Sequence, residues 1–354
     1  MNMFGRLMAC AIAFAAVAVS GHRAEAQETR VNPFATSKSW AYQLKNLGEE
    51  QRKAIADSKY DVMVVDYARS LDSDTEQEVP LTREQVAAMQ KKPDGSRRVV
   101  IAYLSIGESE NYRYYWKPEW TKKRPAWMGG ESKEWEGNYL VQYWNPVWQN
   151  IIFGNPGSFV DRILAAGFDG FYIDRSDAYY RFGDSKEARD RMVAFITSLS
   201  KYIRSKKPDA GIMIQNAEEL LDRPNLVSAI DAIAKEDLVY GISHREERNK
   251  QEEIDWSNKL LKSAQDHGKR IFVVEYLTKP AYIATAQDYM QKNDYVLYYG
   301  PRGLFELNAG AAREKAVPDL PPAVMDEKPT APAKAKAAPG KSAPKGKAKS
   351  AEKK

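Results

Sequence analysis

The chain has 354 residues, a net charge of +5 and one cysteine, Cys10. A lone cysteine so close to the N-terminus excludes a disulfide framework, a cysteine zinc site and a thiol nucleophile from the rest of the chain. About 280 residues lie between the apolar start of the chain and its basic end. That length is enough for one large barrel with a core of its own.

The first 26 residues have the layout of a secretory signal peptide. Arg6 precedes an apolar stretch over 7–19, and small residues then lead to Ala26. The apolar stretch is shorter than the roughly 18 residues that a membrane span needs. We therefore predict cleavage after Ala26, a periplasmic or extracellular location and no membrane span. The alternative, a lipoprotein acylated on Cys10, would leave almost no apolar region before its cleavage site.

The basic character is concentrated in residues 311–354, which hold 11 basic and 5 acidic side chains. The signal segment adds one positive charge, so the body between the two has a net charge of about −2. Ala, Lys, Pro and Gly dominate the tail, and such a composition cannot bury enough apolar area to offset the entropy lost on ordering. We predict a disordered tail that acts as a spacer or contacts anionic envelope surfaces.

The body, 27–310, alternates short apolar runs with longer segments of helical period. This pattern is typical of repeated βα units around a parallel sheet. Eight units predict a single-domain α/β fold, a (β/α)8 TIM-like barrel, although an open sheet fits the same pattern. The predicted strands are Tyr60–Asp66, Val99–Ile106, Tyr139–Tyr143, Gly170–Asp174, Gly211–Gln215, Ala229–Lys235, Ile271–Tyr276 and Tyr295–Tyr299.

Two of the intervening helices have clear start signals. Thr82 and Gln85 form a capping box. Asn155 and Pro156 are predicted to open a later helix that ends at Gly167. Such signals between predicted strands support the alternation that a barrel requires.

Acidic and amide side chains recur where the predicted strands end. The residues at or just after these ends are Asp66, Glu108, Asp174, Asn216, Glu236 and Glu275. In a (β/α)8 barrel the strand C-termini converge on one mouth, where catalytic residues lie. Carboxylates that are brought together raise one another's pKa, so a fold that accepts this arrangement usually uses it.

Glycoside hydrolysis needs such a group of carboxyls. One carboxyl protonates the departing oxygen, and another attacks the anomeric carbon or activates water. We predict that Asp174 and Glu236 form the catalytic pair. The structural alternatives are a loop cap for Asp174 and an ion pair with Lys235 for Glu236.

Further side chains are predicted to bind the substrate or line the site. Glu108 could instead be a solvated loop acid, and Asp177 could cap a turn. Asp66, Asn216 and Glu275 have structural alternatives of equal weight. The predicted substrate-binding residues are Asp66, Tyr103, Glu108, Tyr172, Asp177, Asn216, Glu275, Trp116 and Trp144.

Aromatic residues favour a sugar ligand. Six of the eight tryptophans fall between Trp116 and Trp148, and the other two are Trp40 and Trp256. Aromatic faces pack on the C–H faces of sugars, and a dense set in long loops would wall a cleft. The alternative is that most of these rings pack the long loop onto the barrel.

The sequence lacks the residues that several other classes of enzyme need. Only His244 and His267 remain after the signal, too few for a histidine-rich metal hydrolase. Neither nucleotide-binding glycine motifs nor a serine nucleophile elbow occur. We expect no cofactor, no metal and no nucleic-acid partner, and we expect a monomer.

Four stretches of the chain resemble glycoside hydrolase family 114, the endo-α-1,4-polygalactosaminidases and their prokaryotic relatives. The matching stretches are Tyr103–Arg113, Gly167–Asp174, Gln215–Asn216 and Glu236–Leu238. The resemblance implies a TIM-like barrel whose catalytic Asp follows strand four and whose catalytic Glu follows strand six. These positions fall on Asp174 and Glu236. The resemblance also implies a substrate that is a cationic, partly deacetylated galactosamine polymer.

The leading hypothesis is therefore a secreted, endo-acting hydrolase of an amino-sugar polysaccharide, with Asp174 as nucleophile or base and Glu236 as general acid. Two alternatives remain open: a non-catalytic carbohydrate-binding or matrix-associated barrel, and a hydrolase of a different glycan.

Overall fold

The computed structural model describes residues 30–71, 78–133 and 135–308. The predicted signal peptide, 1–26, and tail, 311–354, lie outside the described residues. The strands are β1 Trp40–Gln43, β2 Val62–Val65, β3 Ala68–Leu71, β4 Glu78–Pro80, β5 Val99–Ser105, β6 Glu108–Glu110, β7 Met128–Glu131, β8 Asn138–Val141, β9 Gly170–Asp174, β10 Gly211–Gln215, β11 Ala232–Glu236, β12 Arg270–Glu275 and β13 Val296–Tyr299. The helices are α1 Glu49–Asp57, α2 Arg83–Met89, α3 Pro146–Ile152, α4 Phe159–Ala165, α5 Lys186–Lys206, α6 Pro224–Ala229, α7 Gln251–Asp266 and α8 Pro280–Asn293, with 3-10 turns at Pro118–Thr121, Ala178–Phe182 and Glu218–Asp222.

The main sheet has eight parallel strands in the order β1-β2-β5-β9-β10-β11-β12-β13. The first and last strands meet, because the indole Nε1 of Trp40 on β1 donates to the carbonyl of Val296 on β13 at 2.9 Å. The sheet therefore curls into a barrel with helices between its strands, which confirms the predicted (β/α)8 TIM-like fold. Within the described ranges, no helix is both long and apolar enough to cross a membrane.

One predicted barrel strand is wrong and one real strand was missed. The run predicted as Tyr139–Tyr143 forms β8, Asn138–Val141, which pairs antiparallel with β6 and β7 in a separate three-stranded sheet. The true first barrel strand is β1, Trp40–Gln43, which pairs with β2. Both runs have the apolar composition of a strand, and composition does not specify which sheet a strand joins.

Aromatic rings fill the barrel interior. Trp40 stacks against Tyr172 at 6.4 Å between ring centroids and meets the ring of Tyr298 edge-on at 6.1 Å. Tyr42 packs on Tyr172 at 4.9 Å. Gly170 leaves room for β10, because a Cβ at this position would lie 2.1 Å from the carbonyl oxygen of Gly211. The barrel is thus a packed core on which the strand ends are held rigidly.

The long segment after β5 packs on the barrel through tryptophans. Trp127 lies 5.5 Å from Trp148, ring centroid to ring centroid. The Trp148 indole donates to the carbonyl of Ile106 at 2.8 Å. Trp120 meets Trp127 edge-on at 5.5 Å. These contacts fix the three-stranded sheet against the end of β5.

Candidate active site

Asp174 and Glu236 are the last residues of β9 and β11, and only β10 lies between these strands. All three strands are parallel and in register, so both side chains lie at the same mouth of the barrel. Each of the two residues is partly exposed. The two predicted catalytic side chains therefore lie at one mouth of the barrel, with one strand between them.

The carboxyl of Asp174 is held by a tyrosine and perturbed by its neighbours. The Tyr103 hydroxyl donates to Asp174 Oδ2 at 2.6 Å. Burial raises the pKa of Asp174 to about 7, while Arg175 and the Tyr103 hydrogen bond oppose the rise and the negative charge of Glu236 adds to it. Asp174 therefore changes its charge in the neutral range, where an acid or base catalyst is most effective.

The carboxylate of Glu236 is fixed on both oxygens. The Asn216 amide donates to Glu236 Oε2 at 3.2 Å and accepts from the Glu236 backbone N–H at 3.0 Å. The Tyr276 hydroxyl donates to Glu236 Oε1. These contacts with Asn216 and Tyr276 fix the position of the Glu236 carboxyl at the mouth.

The backbone turns sharply just beyond these strand ends. Arg175, Asn216 and Asp237 follow β9, β10 and β11 directly, and each has a positive φ, at 59°, 53° and 51°. Residues other than glycine rarely adopt this conformation, and such strain clusters at functional sites. The repeated turn directs the chain away from the mouth and leaves the carboxyls at its rim.

Tyr172 lies among the same groups. Burial raises the pKa of its phenol, and the charges of Glu236 and Asp174 raise it further. The Tyr172 ring is fully buried against Tyr42. The phenol is therefore neutral at physiological pH and forms part of the floor beneath the two carboxyls.

Glu108 is a buried support rather than a solvated loop acid. Its Oε1 is paired with Arg175 Nη2 at 3.0 Å, and its Oε2 accepts from the Asn138 amide at 3.0 Å. Gly107 allows this approach, because a Cβ there would lie 2.7 Å from the Arg175 carbonyl oxygen. Glu108 thus connects the three-stranded sheet to the residue that follows Asp174.

Asp66 and Glu275 also engage structural partners. Asp66 accepts two hydrogen bonds from Arg113, each at 2.8 Å. Glu275 is fully buried and accepts from the backbone N–H groups of Val239 at 2.7 Å and Tyr240 at 3.3 Å. Both carboxylates hold loops that surround the mouth, and their roles as substrate ligands remain predictions.

Arg113 anchors a second buried cluster. Besides Asp66, its guanidinium binds Glu110 Oε2 at 2.7 Å and Glu78 Oε2 at 3.0 Å. Arg113 is only 2% exposed. The cluster ties the segment after β5 to the loop that follows β2.

A cavity of about 510 Å³ lies beside Asn216, the residue that binds Glu236, and its lining includes neither Asp174 nor Glu236. Asp177 lies on its wall, and its side chain makes no cap hydrogen bond with the turn that follows. Burial raises the pKa of Asp177. The lining residues are Asp177, Tyr180, Asn216, Ala217, Glu218, Glu219, Lys235, Ile242, Glu252, Glu253, Trp256 and Ser257.

Trp116 and Trp144 lie outside this lining and pack against other side chains. Trp116 packs on Tyr139 at 4.9 Å between centroids. Trp144 meets Phe182 edge-on at 4.7 Å, and the Arg191 guanidinium lies 4.7 Å from its ring centroid. Their sugar-binding roles remain predictions. The aromatic residues that border the cavity are Tyr180 and Trp256.

Sequence reasoning missed two neighbours of the carboxyls, Arg175 and Tyr276, and one ring on the cavity wall, Trp256. Arg175 and Tyr276 directly follow Asp174 and Glu275, so a rule that included the residue after each strand end would have found them. Trp256 had no comparable signal, because it lies inside a helix. In the part of the chain that the structure describes, no group of three or more His, Cys, Asp or Glu side chains is arranged to hold a metal ion.

A parallel (β/α)8 barrel with two carboxyls at its C-terminal mouth is the arrangement that TIM-barrel glycoside hydrolases use. The model of glycoside-hydrolase family GH114 matches residues 21–301. The chain therefore belongs to family GH114, as its four matching stretches indicate.

An uncharacterized protein of Methanocaldococcus jannaschii is 37% identical over 247 residues. That match covers 67% of this chain and 66% of the archaeal protein, so the chain spans just under two thirds of that relative. The fold is similar to Aspergillus fumigatus Ega3, solved in complex with galactosamine, with a TM-score of 0.54, 16% identity, and coverage of 77% of this chain and 94% of Ega3. The fold is also similar to the glycoside hydrolase domain of PelA from Pseudomonas aeruginosa, with a TM-score of 0.56 and 16% identity. That match covers 76% of this chain and 96% of the PelA domain.

Proposed function

We propose that this glycoside hydrolase is an exported, endo-acting enzyme that cleaves an amino-sugar polysaccharide of the galactosamine type. The observation that carries the proposal is the placement of Asp174 and Glu236 at one barrel mouth, each bound by a tyrosine hydroxyl. Membership in GH114 and the galactosamine in the Ega3 complex support the substrate class. The apolar N-terminal segment supports export.

In the proposed reaction, Glu236 transfers its proton to the glycosidic oxygen as the bond to the anomeric carbon breaks. Asp174 in its charged form attacks that carbon or takes a proton from the water that attacks it. Asn216 and Tyr276 then stabilise the Glu236 carboxylate left behind. Water supplies the hydroxyl of the new reducing end and restores the proton of the catalytic pair.

The acidic cavity beside the pair supports a cationic substrate. Five carboxyl side chains and one lysine line it. A cleft lined by one sign of charge attracts the opposite charge and raises its local concentration. Deacetylated amino sugars carry ammonium groups, and neutral glucans do not.

A glycan panel tests the proposal. Reducing-end release should be greatest on partly deacetylated galactosamine polymer and weak on glucans and peptidoglycan strands. Products of intermediate length should appear early if cleavage is internal. If only another glycan is cleaved, that glycan replaces the galactosamine polymer as the substrate. If glycans are bound but none is cleaved, the result favours the carbohydrate-binding alternative.

The pH profile should report Asp174. If Asp174 acts as a charged nucleophile or base, kcat/KM should rise with pH through a pKa near 7, because protonation below that value removes the reactive form. Tyr103→Phe removes a hydrogen bond that favours the charged form, so its rising limb should move to higher pH. Comparing the two enzymes on one substrate cancels the titration of the substrate amine. If kcat/KM instead falls as the pH rises through 7, Asp174 is the acid.

A further inference from the structure

One residue, Asn216, links the cavity wall to the catalytic pair. Asn216, which holds Glu236 through two hydrogen bonds, lies on the cavity wall. From there the cavity reaches Trp256 on α7. Its volume of about 510 Å³ lies within the ~300–1,000 Å³ range of small-molecule sites. A chain cleaved at Glu236 could therefore continue into it.

Trp256 is exposed in a way that folding does not explain. It is 47% exposed, whereas Trp40 and Trp148 are fully buried. Trp256 lies on an amphipathic helix whose buried residues are Ile254, Ser257, Leu261 and Ala264. A large ring on a cavity wall offers a flat apolar face, and such a face packs on the C–H side of a sugar ring.

The charges of the cavity wall specify which sugar fits. Lys235 is paired with Glu218 at 3.1 Å, so these two charges offset each other. Glu219 accepts hydrogen bonds from Tyr179 and Tyr180, and Glu253 caps α7 at Lys250 N. Glu252 lies exposed in the first turn of α7. The wall therefore retains acidic character beside the aromatic ring, which suits an ammonium group and repels a uronic acid.

We propose that the cavity between Asn216 and Trp256 is a subsite that binds one amino-sugar residue of the polymer next to the scission point. Trp256 packs on the sugar ring, and Glu252 attracts the ammonium group. This inference rests on the proposed function, since it names a subsite of that same enzyme.

Two variants in the full-length chain separate the ring from the charge. Trp256→Ala should weaken binding of a galactosamine oligomer about five- to tenfold, the upper range for one aromatic contact, and Trp256→Phe should restore most of it. Glu252→Gln should weaken binding of the deacetylated oligomer about two- to fivefold at low salt, with little effect on the fully N-acetylated oligomer. Asp255→Asn, one residue from Trp256 but outside the cavity lining, is the matched control.

Affinity is measured by calorimetry in the Asp174→Asn background, and turnover is measured with Asp174 intact. If the enzyme turns over the oligomer and Trp256→Ala binds it as tightly as the parent, the subsite is refuted while the proposed function stands. If nothing is turned over but binding depends on Trp256, the cavity binds the amino sugar as proposed, whereas the enzymatic proposal fails and with it the place of the cavity next to a scission point. Absence of both binding and turnover refutes both.

Discussion

Asp174→Asn and Glu236→Gln should each lower kcat by about 100- to 10,000-fold, the range that one acid or base group supplies. Each substitution keeps the side-chain shape and removes the ionisable group. In Asp174→Asn the Tyr103 hydroxyl retains an oxygen acceptor, and in Glu236→Gln the Asn216 and Tyr276 contacts can persist. The loss should therefore appear in kcat with little change in melting temperature. Reducing-end release under saturating substrate measures it.

Asp288→Asn is the matched control for this pair, because Asp288 lies exposed on α8 in an ion pair with Lys292. Its kcat should equal that of the parent. Full activity of either catalytic variant would remove that residue from the mechanism. The anomeric configuration of the first product separates the two roles open to Asp174, since a nucleophile retains it and a base inverts it.

The strand ends were predictable because the sequence gives two signals for each of them, an apolar run and a carboxylate at the end of that run. Gly170–Asp174 is apolar until Asp174 ends it, and in Ala232–Glu236 only Lys235 separates the apolar residues from Glu236. In a parallel barrel all strands end at the same face, so sequence position translates directly into a place at the mouth. This rule put Asp174 and Glu236 together without knowledge of any distance.

The first barrel strand, β1, was not predicted because its own sequence is short and carries little strand signal. Trp40–Gln43 has four residues, follows the polar run Ser37–Ser39 and itself ends on a polar residue, Gln43. Strands of this length are below the usual five to six residues and give little periodic signal. Its identity depends on pairing with β2 and on the Trp40 bond to β13, which are contacts between residues far apart in the chain.

Side-chain partners were beyond the reach of the sequence. Glu108 and Glu275 lie at or just after strand ends, as Asp174 does. Glu108 is nevertheless paired with Arg175, and Glu275 accepts hydrogen bonds from two backbone N–H groups. A carboxylate becomes a support or a catalyst according to which donors face it, and loop folding decides that. The same holds for Asn155 and Pro156: α4 begins at Phe159 with Ser158 as its cap, whereas the Thr82 capping box forms as predicted.

Arg113→Met should lower the free energy of unfolding by about 3–5 kcal/mol, the usual loss when one partner of a buried ion pair is removed. Asp66, Glu78 and Glu110 would keep their carboxylates without the guanidinium that binds all three. Arg113→Lys should lose less, because it keeps the charge but not the planar fork. Lys186→Met, in an exposed pair with Asp190, is the control and should change stability by about 0–1 kcal/mol. Urea unfolding of the full-length chain measures all three.

The pH dependence of this loss identifies its cause. Burial raises the pKa of Glu78 even with Arg113 present. Without the guanidinium, the cluster should take up protons more readily, so that lowering the pH neutralises the unpaired carboxylates. The destabilisation of Arg113→Met relative to the parent should therefore shrink as the pH falls from 8 to 5. A difference that is constant across this range would mean that the variant loses the stacking of the guanidinium on the Phe159 ring rather than the pairing with carboxylates.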